Sequence, residues 1–157
     1  MPQTVSRLAD FLPYLLAITA DAVSDRIAQE YSARFGLRIP EWRVLSVLGD
    51  SGSLTQRDLV SATQMDKVAV NRAARSLEGR GLARRRPNDR DGRSHHLELT
   101  EEGKAMHAGI MPLALDMDER IFAALTTAQR HQLKTLLGVI RDSAKSLDAA
   151  ALQDLAA

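Results

Sequence analysis

The order of signals between residues 52 and 100 constrains the fold more than any other feature of the chain. The stretch "LTQRDLVSAT" opens on Thr55-x-x-Asp58, a pairing whose hydroxyl and carboxylate accept hydrogen bonds from the free amides of a helix start. A few residues later, Asp66 is suited to cap a second helix in the same way. Two helices joined by so short a connection indicate a helix-turn-helix.

The second of these helices has one apolar face. Its apolar positions recur at steps of three and four residues, at Val70, Ala73, Ala74 and Leu77. Gly79 and Gly81 are expected to end it, because glycine adopts the left-handed conformation that closes many helices. The opposite face is basic and is therefore available to a partner.

A basic β-hairpin is predicted after the second helix. Leu97 and Leu99 alternate with polar residues, which is the period of a strand with one buried face. The stretch before Pro87 is expected to pair with this strand across the turn-forming "PNDRDG". Arg84 to Arg86 then alternate in direction, so that not all three can reach one phosphate. Helix, turn, helix and hairpin together form a winged helix-turn-helix.

Helices are also predicted on the N-terminal side of this motif. Apolar positions from Val5 to Tyr31 recur at helical steps. Asp10 is expected to cap this helix, with Pro13 inside its first turn and Gly36 at its end. The stretch "EWRVLSVLGD" predicts a short helix that buries Trp42, Val44 or Leu45, and Leu48.

Two further helices are predicted on the C-terminal side. Thr100 is expected to cap the first, and Pro112 is expected to kink or end it. Thr126 and Gln129 form a second capping box. The last helix carries an apolar stripe that needs a partner, at Leu133, Leu136, Leu137, Ile140 and Leu147. The fold class is therefore mainly α with a small β-hairpin wing.

The charge of the chain is concentrated in its middle. The net charge is only +1, but residues 67–96 hold nine Lys and Arg against three Asp and Glu, a local excess of +6. One basic surface of this kind indicates a polyanionic partner. The chain has no cysteine, which excludes disulfides and thiol-based redox sensing and fits a reduced, cytoplasmic setting. No membrane span and no secretory signal are expected.

The sequence contains no pattern typical of a catalytic or metal-binding site. His95 and His96 point to opposite faces of one strand, and neither His107 nor His131 has a metal ligand at helical spacing. We find no glycine-rich phosphate loop, nucleophile elbow or pair of catalytic carboxylates. We therefore expect no catalytic residues, no cofactor and no metal.

The chain resembles the MarR family of bacterial transcription factors. The carrying stretches are "LTQRDLVSAT", "MDKVAVNRAARSLEGRGLARRRP", "DRDGR…LELTEEG" and "LTTAQRHQLKTLL", over about residues 10–147. The resemblance implies one MarR-like chain over residues 1–157 that forms a triangular homodimer. Residues 37–100 would form the winged DNA-binding lobe, and residues 5–35 and 101–157 would form intertwined dimerisation helices.

The expected DNA contacts of the second helix lie off its apolar face, at Lys67, Ala69, Asn71, Arg72 and Arg75. In this geometry the N-terminal half of the helix enters the major groove. Asparagine can read adenine, arginine can read guanine, and an alanine methyl can meet a thymine methyl. The alternative for each residue is an ordinary solvated helix face.

For the wing, the resemblance is carried by the Asp91-Gly92-Arg93 element. It implies that Arg93 enters the minor groove and that Asp91 holds it through an ion pair within the wing. Arg86 and Arg90 are added as candidate DNA contacts, since narrow minor grooves attract arginine. Surface charge packed over the lobe is the alternative for the arginines of the strand.

The resemblance also implies a small effector, often aromatic or phenolic, bound between the dimerisation helices and the lobe. Candidate lining residues are Tyr14, Trp42, Arg43, His107 and Met111. The expected function is that of a homodimeric repressor on palindromic double-stranded DNA, released by the effector. The alternatives are a winged-helix interaction scaffold and a metal-responsive regulator.

Overall fold

The computed structural model describes residues 7–147 and consists of six helices and a small sheet. The helices are α1 (Leu12–Phe35), α2 (Ile39–Ser51), α3 (Gln56–Thr63), α4 (Lys67–Gly79), α5 (Glu101–Ile121) and α6 (Thr127–Ser146). The strands are β1 (Leu54–Thr55), β2 (Ala83–Pro87) and β3 (His95–Leu99), and a 3-10 turn over Leu8–Asp10 precedes α1. The fold class expected from the sequence is confirmed.

The chain divides into two compact units after Met117. The core of the first unit lies between α2, α3, α4 and the sheet. Its buried side chains include those predicted from the periodicity of α4 and β3, at Val70, Ala73, Ala74, Leu77, Leu97 and Leu99. α2 contributes Val44, Leu45 and Leu48. Trp42 is only half-buried, and its ring centroid lies 5.1 Å from that of Tyr31.

The helix-turn-helix is held by the predicted caps. The Thr55 hydroxyl accepts from the Asp58 amide, and the Asp58 carboxylate accepts from the Thr55 amide. The Asp66 carboxylate accepts from the Ala69 amide at 2.8 Å. Between the helices, Gln64 closes α3 in the left-handed conformation at φ 57°. The short connection between α3 and α4 is therefore fixed by local hydrogen bonds.

The wing is a sheet of three strands, where two were predicted. The strand order is β1-β3-β2, all antiparallel, with Leu54 opposite Leu97 and Arg85 opposite Leu97 on the other side. The extra strand, β1, has two residues. A segment this short carries no alternation by which it could be predicted.

The ends of the outer helices partly match the expectations. Gly36 ends α1 in the left-handed conformation at φ 61°, and Thr126 with Gln129 forms the predicted box on α6. Asp10 is not the cap of α1, because the helix starts after Phe11 and Asp10 belongs to the preceding 3-10 turn. Pro112 does not end α5, which continues to Ile121.

The start of α5 packs closely against the backbone of residues 81 and 82, which lead into β2. The Thr100 hydroxyl donates to the carbonyl oxygen of Gly81 at 2.6 Å and accepts from the amide of Gly103 at 3.1 Å. The carbonyl oxygen of Leu82 accepts from the Thr100 amide at 3.1 Å. A Cβ on Gly103 would overlap that Leu82 oxygen, so two backbones approach here at a distance that only glycine permits.

The second unit presents an apolar surface on α6. Leu136, Leu137, Val139 and Ile140 are exposed, and no residue of the helix is buried. In the first unit, α1 likewise exposes Leu12, Leu15, Leu16 and Ile18. Between residues 7 and 147, no helix is long and apolar enough to cross a membrane.

Candidate nucleic-acid interface

The outward face of α4 is a row of three exposed side chains. Val68, Arg72 and Arg75 follow one another at i, i+4 and i+7, on the side of the helix opposite to the buried row. Val68 is 60% exposed, which is high for a valine on a folded helix. Lys67 is also exposed, at the first turn. The N-terminal half of α4 therefore offers two kinds of chemistry outward, cationic and apolar.

The two flanking positions of α4 are less accessible. Ala69 and Asn71 are half-buried. The Asn71 side-chain oxygen accepts from the guanidinium of Arg85 on β2 at 3.4 Å, which leaves its NH2 group as the unengaged end. A bidentate contact from Asn71 to adenine uses both the oxygen and the NH2 group, so adenine would share the oxygen with Arg85.

The arginines of β2 form ion pairs with glutamates inside the lobe. Arg84 and Arg86 lie on one face of the strand and share the carboxylate of Glu98, at 2.6 and 3.5 Å. Arg85 points to the other face and pairs with Glu78 of α4 at 3.1 Å. The alternation predicted for this run is confirmed, and each of the three arginines has an acidic neighbour.

Hydrogen bonding favours the ionised form of Glu98, the carboxylate that pairs with Arg84 and Arg86. The pKa of Glu98 is lowered from its ordinary value of 4.5, chiefly because the Arg84 guanidinium donates a hydrogen bond to it. The charge of Arg86 acts in the same direction. The carboxylate is therefore ionised at neutral pH and offsets part of the charge of β2.

Five cations on α4 and at the tip of the wing have no such partner. Their side chains form no ion pair and no hydrogen bond within residues 7–147, and they are Lys67, Arg72, Arg75, Arg90 and Arg93. All five are exposed. The lobe thus separates compensated arginines on the strand from uncompensated cations on α4 and at the tip of the wing.

The tip of the wing is ordered by two consecutive side-chain turns. The Asn88 side-chain oxygen accepts from the amide of Arg90 at 3.0 Å, and the Asp91 carboxylate accepts from the amide of Arg93 at 3.1 Å. Asn88 also donates to the Ser94 hydroxyl at 2.7 Å. Each turn places one arginine two residues after its acceptor, with the side chain exposed.

The role expected for Asp91 differs from its contacts in the structure. The resemblance implied an ion pair with the Arg93 side chain, and none occurs within the described part of the wing. The carboxylate instead holds the backbone of Arg93, because an aspartate readily accepts from the amide two residues on. Asp91 therefore orders the tip and leaves the Arg93 guanidinium free.

A cleft of about 510 Å³ lies between the helix-turn-helix and the wing. α3, α4, β2, β3 and the tip all contribute to it, through residues that include Arg57, Asn71, Arg85, Arg93 and His96. His95 is exposed and His96 is half-buried, as the strand alternation predicted. No group of three potential metal ligands occurs in the part of the chain that the structure describes.

The candidate effector residues fall on three helices of the first unit. Tyr14 on α1 and Arg43 on α2 are exposed, whereas Trp42 on α2 and His107 and Met111 on α5 are half-buried. Three buried polar atoms in this region have no hydrogen-bond partner among residues 7–147: Trp42 Nε1, Ser46 Oγ and His107 Nε2. The His107 ring lies over Gly49 of α2, and its Nε2 is 3.8 Å from an Asp50 carboxylate oxygen.

Two residues of this region were not found by sequence reasoning. Val68 could have been found, because its spacing to Arg72 and Arg75 places it in the outward row. Arg80, which follows α4, donates to the carbonyl oxygens of Phe35 and Gly36 at 2.8 and 3.0 Å. No local pattern reveals a contact between residues so far apart in the chain.

The helix-turn-helix and its three-stranded wing define a winged helix-turn-helix protein. A model of the MarR family matches residues 35–94. The repressor Rv2887 of Mycobacterium tuberculosis, an HTH-type transcriptional repressor, is 30% identical over 132 residues, which cover 83% of this chain and 94% of the relative. The repressor NicR of Pseudomonas putida is 30% identical over 99 residues, 63% of each chain. The chain belongs to the MarR family of transcriptional regulators.

Solved structures agree with the fold. A MarR/EmrR family regulator from Acinetobacter sp. ADP1 has a TM-score of 0.83 at 21% identity and covers 90% of this chain and 99% of its own. BpsR of Bordetella bronchiseptica has a TM-score of 0.80 at 25% identity, with coverage of 87% and 96%. The fold expected from the sequence is thereby confirmed over most of the chain.

Proposed function

We propose that this protein is a homodimeric repressor that binds a palindromic operator and is released by a small aromatic effector. The observation that carries the proposal is the separation of charge in the lobe. The cations of α4 and of the wing tip are uncompensated and exposed, whereas those of β2 are paired with glutamates. Basic residues that served only solubility would not need to fall into an ion-paired set on β2 and an unpaired set on α4 and the wing tip.

In the proposed complex, the N-terminal half of α4 enters the major groove. Arg72 and Arg75 meet guanine edges or phosphates there, and Lys67 meets a phosphate. Ala69 and Asn71 lie at the margins of this face. The wing tip reaches the adjacent minor groove, where the negative potential of narrow A·T-rich DNA favours Arg90 and Arg93. Arg86 contributes only if it leaves Glu98.

A second copy of the chain is proposed to cover the apolar faces of α1 and α6. Isolated apolar residues on a surface are ordinary, but two helices that each expose at least four large ones are not. The same family relationship supports a dimer built from these helices. Two lobes held in one dimer would meet successive major grooves about 34–36 Å apart, which requires a palindrome.

The effector is proposed to bind near Trp42, His107 and Met111. Buried polar atoms are normally hydrogen-bonded, and the partnerless Trp42 Nε1, Ser46 Oγ and His107 Nε2 are two donor-capable groups and a ring nitrogen suited to a polar aromatic molecule. BpsR, at 25% identity, is described as regulated in its DNA binding by 6-hydroxynicotinic acid. Tyr14 and Arg43 would complete such a site from α1 and α2.

Selection from random duplexes tests this function directly. The protein should enrich an inverted repeat whose half-sites lie about one helical turn apart, and it should retain that duplex in excess competitor DNA. A scaffold that uses the winged fold for protein contacts would enrich no sequence. Binding that competitor DNA of any sequence abolishes equally would contradict the proposal.

Replacing Arg93 by alanine should weaken binding to the selected operator by about 1–3 kcal/mol, because the tip would lose its minor-groove cation. Arg84→Ala is the matched control. It removes the same side chain from the same hairpin, but from a position already paired with Glu98. Titration of both variants in a mobility-shift assay shows whether the loss of affinity is specific to Arg93 or common to any arginine of the hairpin. Equal losses from both would show that the wing contributes only general charge.

A further inference from the structure

One side chain forms hydrogen bonds that join the C-terminal end of α4 to the C-terminal end of α1. Arg80 follows α4 directly, and its two terminal nitrogens donate to the carbonyl oxygens of Gly36 and Phe35 at 3.0 and 2.8 Å. The last carbonyls of a helix have no partner within it and carry the negative end of the helix dipole. A guanidinium at this place therefore satisfies two carbonyls and offsets their charge.

A second contact brings α4 against the same part of the chain. Glu41 in the first turn of α2 is buried, with 3% of its surface exposed. Its carboxylate accepts from the amide and the guanidinium of Arg38, at 2.9 and 2.7 Å, and the side chain of Ser76 on α4 lies beside it. Ser76 and Arg80 lie one helical turn apart. The last turn of α4 thus lies against both sides of the connection between α1 and α2, and Arg80 supplies the hydrogen bonds.

We infer that Arg80 is a positioning residue that fixes the angle of the recognition helix α4 relative to the dimerisation helix α1. The inference rests on the proposed function, since it assigns DNA-reading to α4 and dimerisation to α1. If α1 is anchored in the dimer, the direction of α4 against α1 sets the separation of the two recognition helices. Arg80 then determines which half-site spacing the dimer accepts, without touching DNA.

The chemistry of arginine suits this task. Its planar fork donates to two carbonyls at once, which fixes both the direction and the distance of the helix ends. A lysine carries its donors on one rotatable ammonium group, so it could bind the carbonyls without fixing the direction of the helix ends. In the order of the helix angle, Arg80→Lys is therefore expected to lie between the wild type and Arg80→Met, which keeps an unbranched apolar stem and loses every donor.

Distance measurement between spin labels tests the positioning without DNA. The chain has no cysteine, so Asp25→Cys on α1 and Arg57→Cys on α3 give two unique label sites. A doubly labelled chain diluted with unlabelled chain reports only the distance within one chain. Arg80→Met should broaden or shift this distribution. Arg34→Met, which removes a guanidinium paired with Glu30 in the last turns of α1, should leave it unchanged.

Operators of altered spacing test the consequence for DNA. The wild type should prefer its selected operator strongly over duplexes with one or two base pairs inserted between the half-sites. Arg80→Met should bind a single half-site within about twofold of the wild type, because that contact is remote from the substitution. It should lose about tenfold on the full operator and much of the preference for its spacing.

The outcomes separate this inference from the function on which it rests. An unchanged label distribution in Arg80→Met overturns the inference, whatever the protein does with DNA. Equal losses on half-site and full operator also overturn it, since they indicate general damage to the lobe. If the distribution broadens but the wild type shows no preference among sequences, the positioning by Arg80 stands and the proposed function fails.

Discussion

Replacing Gly103 by alanine is expected to lower the free energy of unfolding by about 3 kcal/mol, although alanine is the better helix former. Gly103 is buried in the first turn of α5, and an added Cβ would overlap the carbonyl oxygen of Leu82 and lie 3.3 Å from the Cβ of Leu99. The Leu82 oxygen cannot swing aside freely, because it accepts from the amide of Thr100. The backbone itself must move, and the hydrogen bonds at the start of α5 are strained with it.

Gly109 supplies the matched control on the same helix. A Cβ there would meet only the edge of the Phe35 ring, at an ordinary 3.9 Å. Gly109→Ala should therefore stabilise the protein by up to about 1 kcal/mol, through the helix propensity of alanine alone. Urea unfolding of both variants at one fixed protein concentration measures the difference. If both glycines tolerate alanine, the close approach at Gly103 is not a constraint on the fold.

Replacing Ile140 by aspartate should convert the proposed dimer into a monomer at micromolar concentration. Ile140 lies in the exposed apolar stripe of α6, and its burial against a second copy would place an unpaired carboxylate in an apolar contact. A monomer engages one half-site at a time. Operator affinity should therefore fall by about 100-fold or more, since the advantage of linking two binding sites reaches 10²–10⁴-fold.

Thr135→Asp adds the same charge to the same helix at a position about 140° away around its axis. Thr135 is exposed and lies outside the apolar stripe. This control should leave both the dimer and its operator affinity unchanged. Sedimentation velocity and mobility shifts measure the two effects together. An Ile140→Asp protein that remains dimeric would place the subunit contact elsewhere and would contradict the proposed role of α6.

The sequence predicted the features that depend on near neighbours. The caps at Thr55, Asp66 and Thr126, the end of α1 at Gly36 and the alternation of Leu97 and Leu99 all depend on spacings of a few residues. These are also the interactions with a fixed local geometry. Asp10 failed as a cap because Pro13 and a 3-10 turn set the start of α1, not the first acid before it.

Features that depend on distant partners could not be predicted from the sequence. Arg80 meets carbonyls 44 and 45 residues away, and Arg85 meets Asn71 across 14. The same limit applies to charge. A count of arginines predicts a basic segment, but only the positions of Glu78 and Glu98 separate the paired arginines of β2 from the free ones. Which cations are available to DNA is therefore a property of the folded lobe.

The strand order of the wing also bears on whether another chain can extend its sheet. An edge strand with open backbone groups is a template on which another chain can extend the sheet. β3 is central, so the two edges are β1, which has only two residues, and β2. Three consecutive arginines and a terminal Pro87, which lacks an amide hydrogen, make β2 a poor template. Neither edge of the sheet in the wing therefore offers a second chain a long, open strand on which to pair.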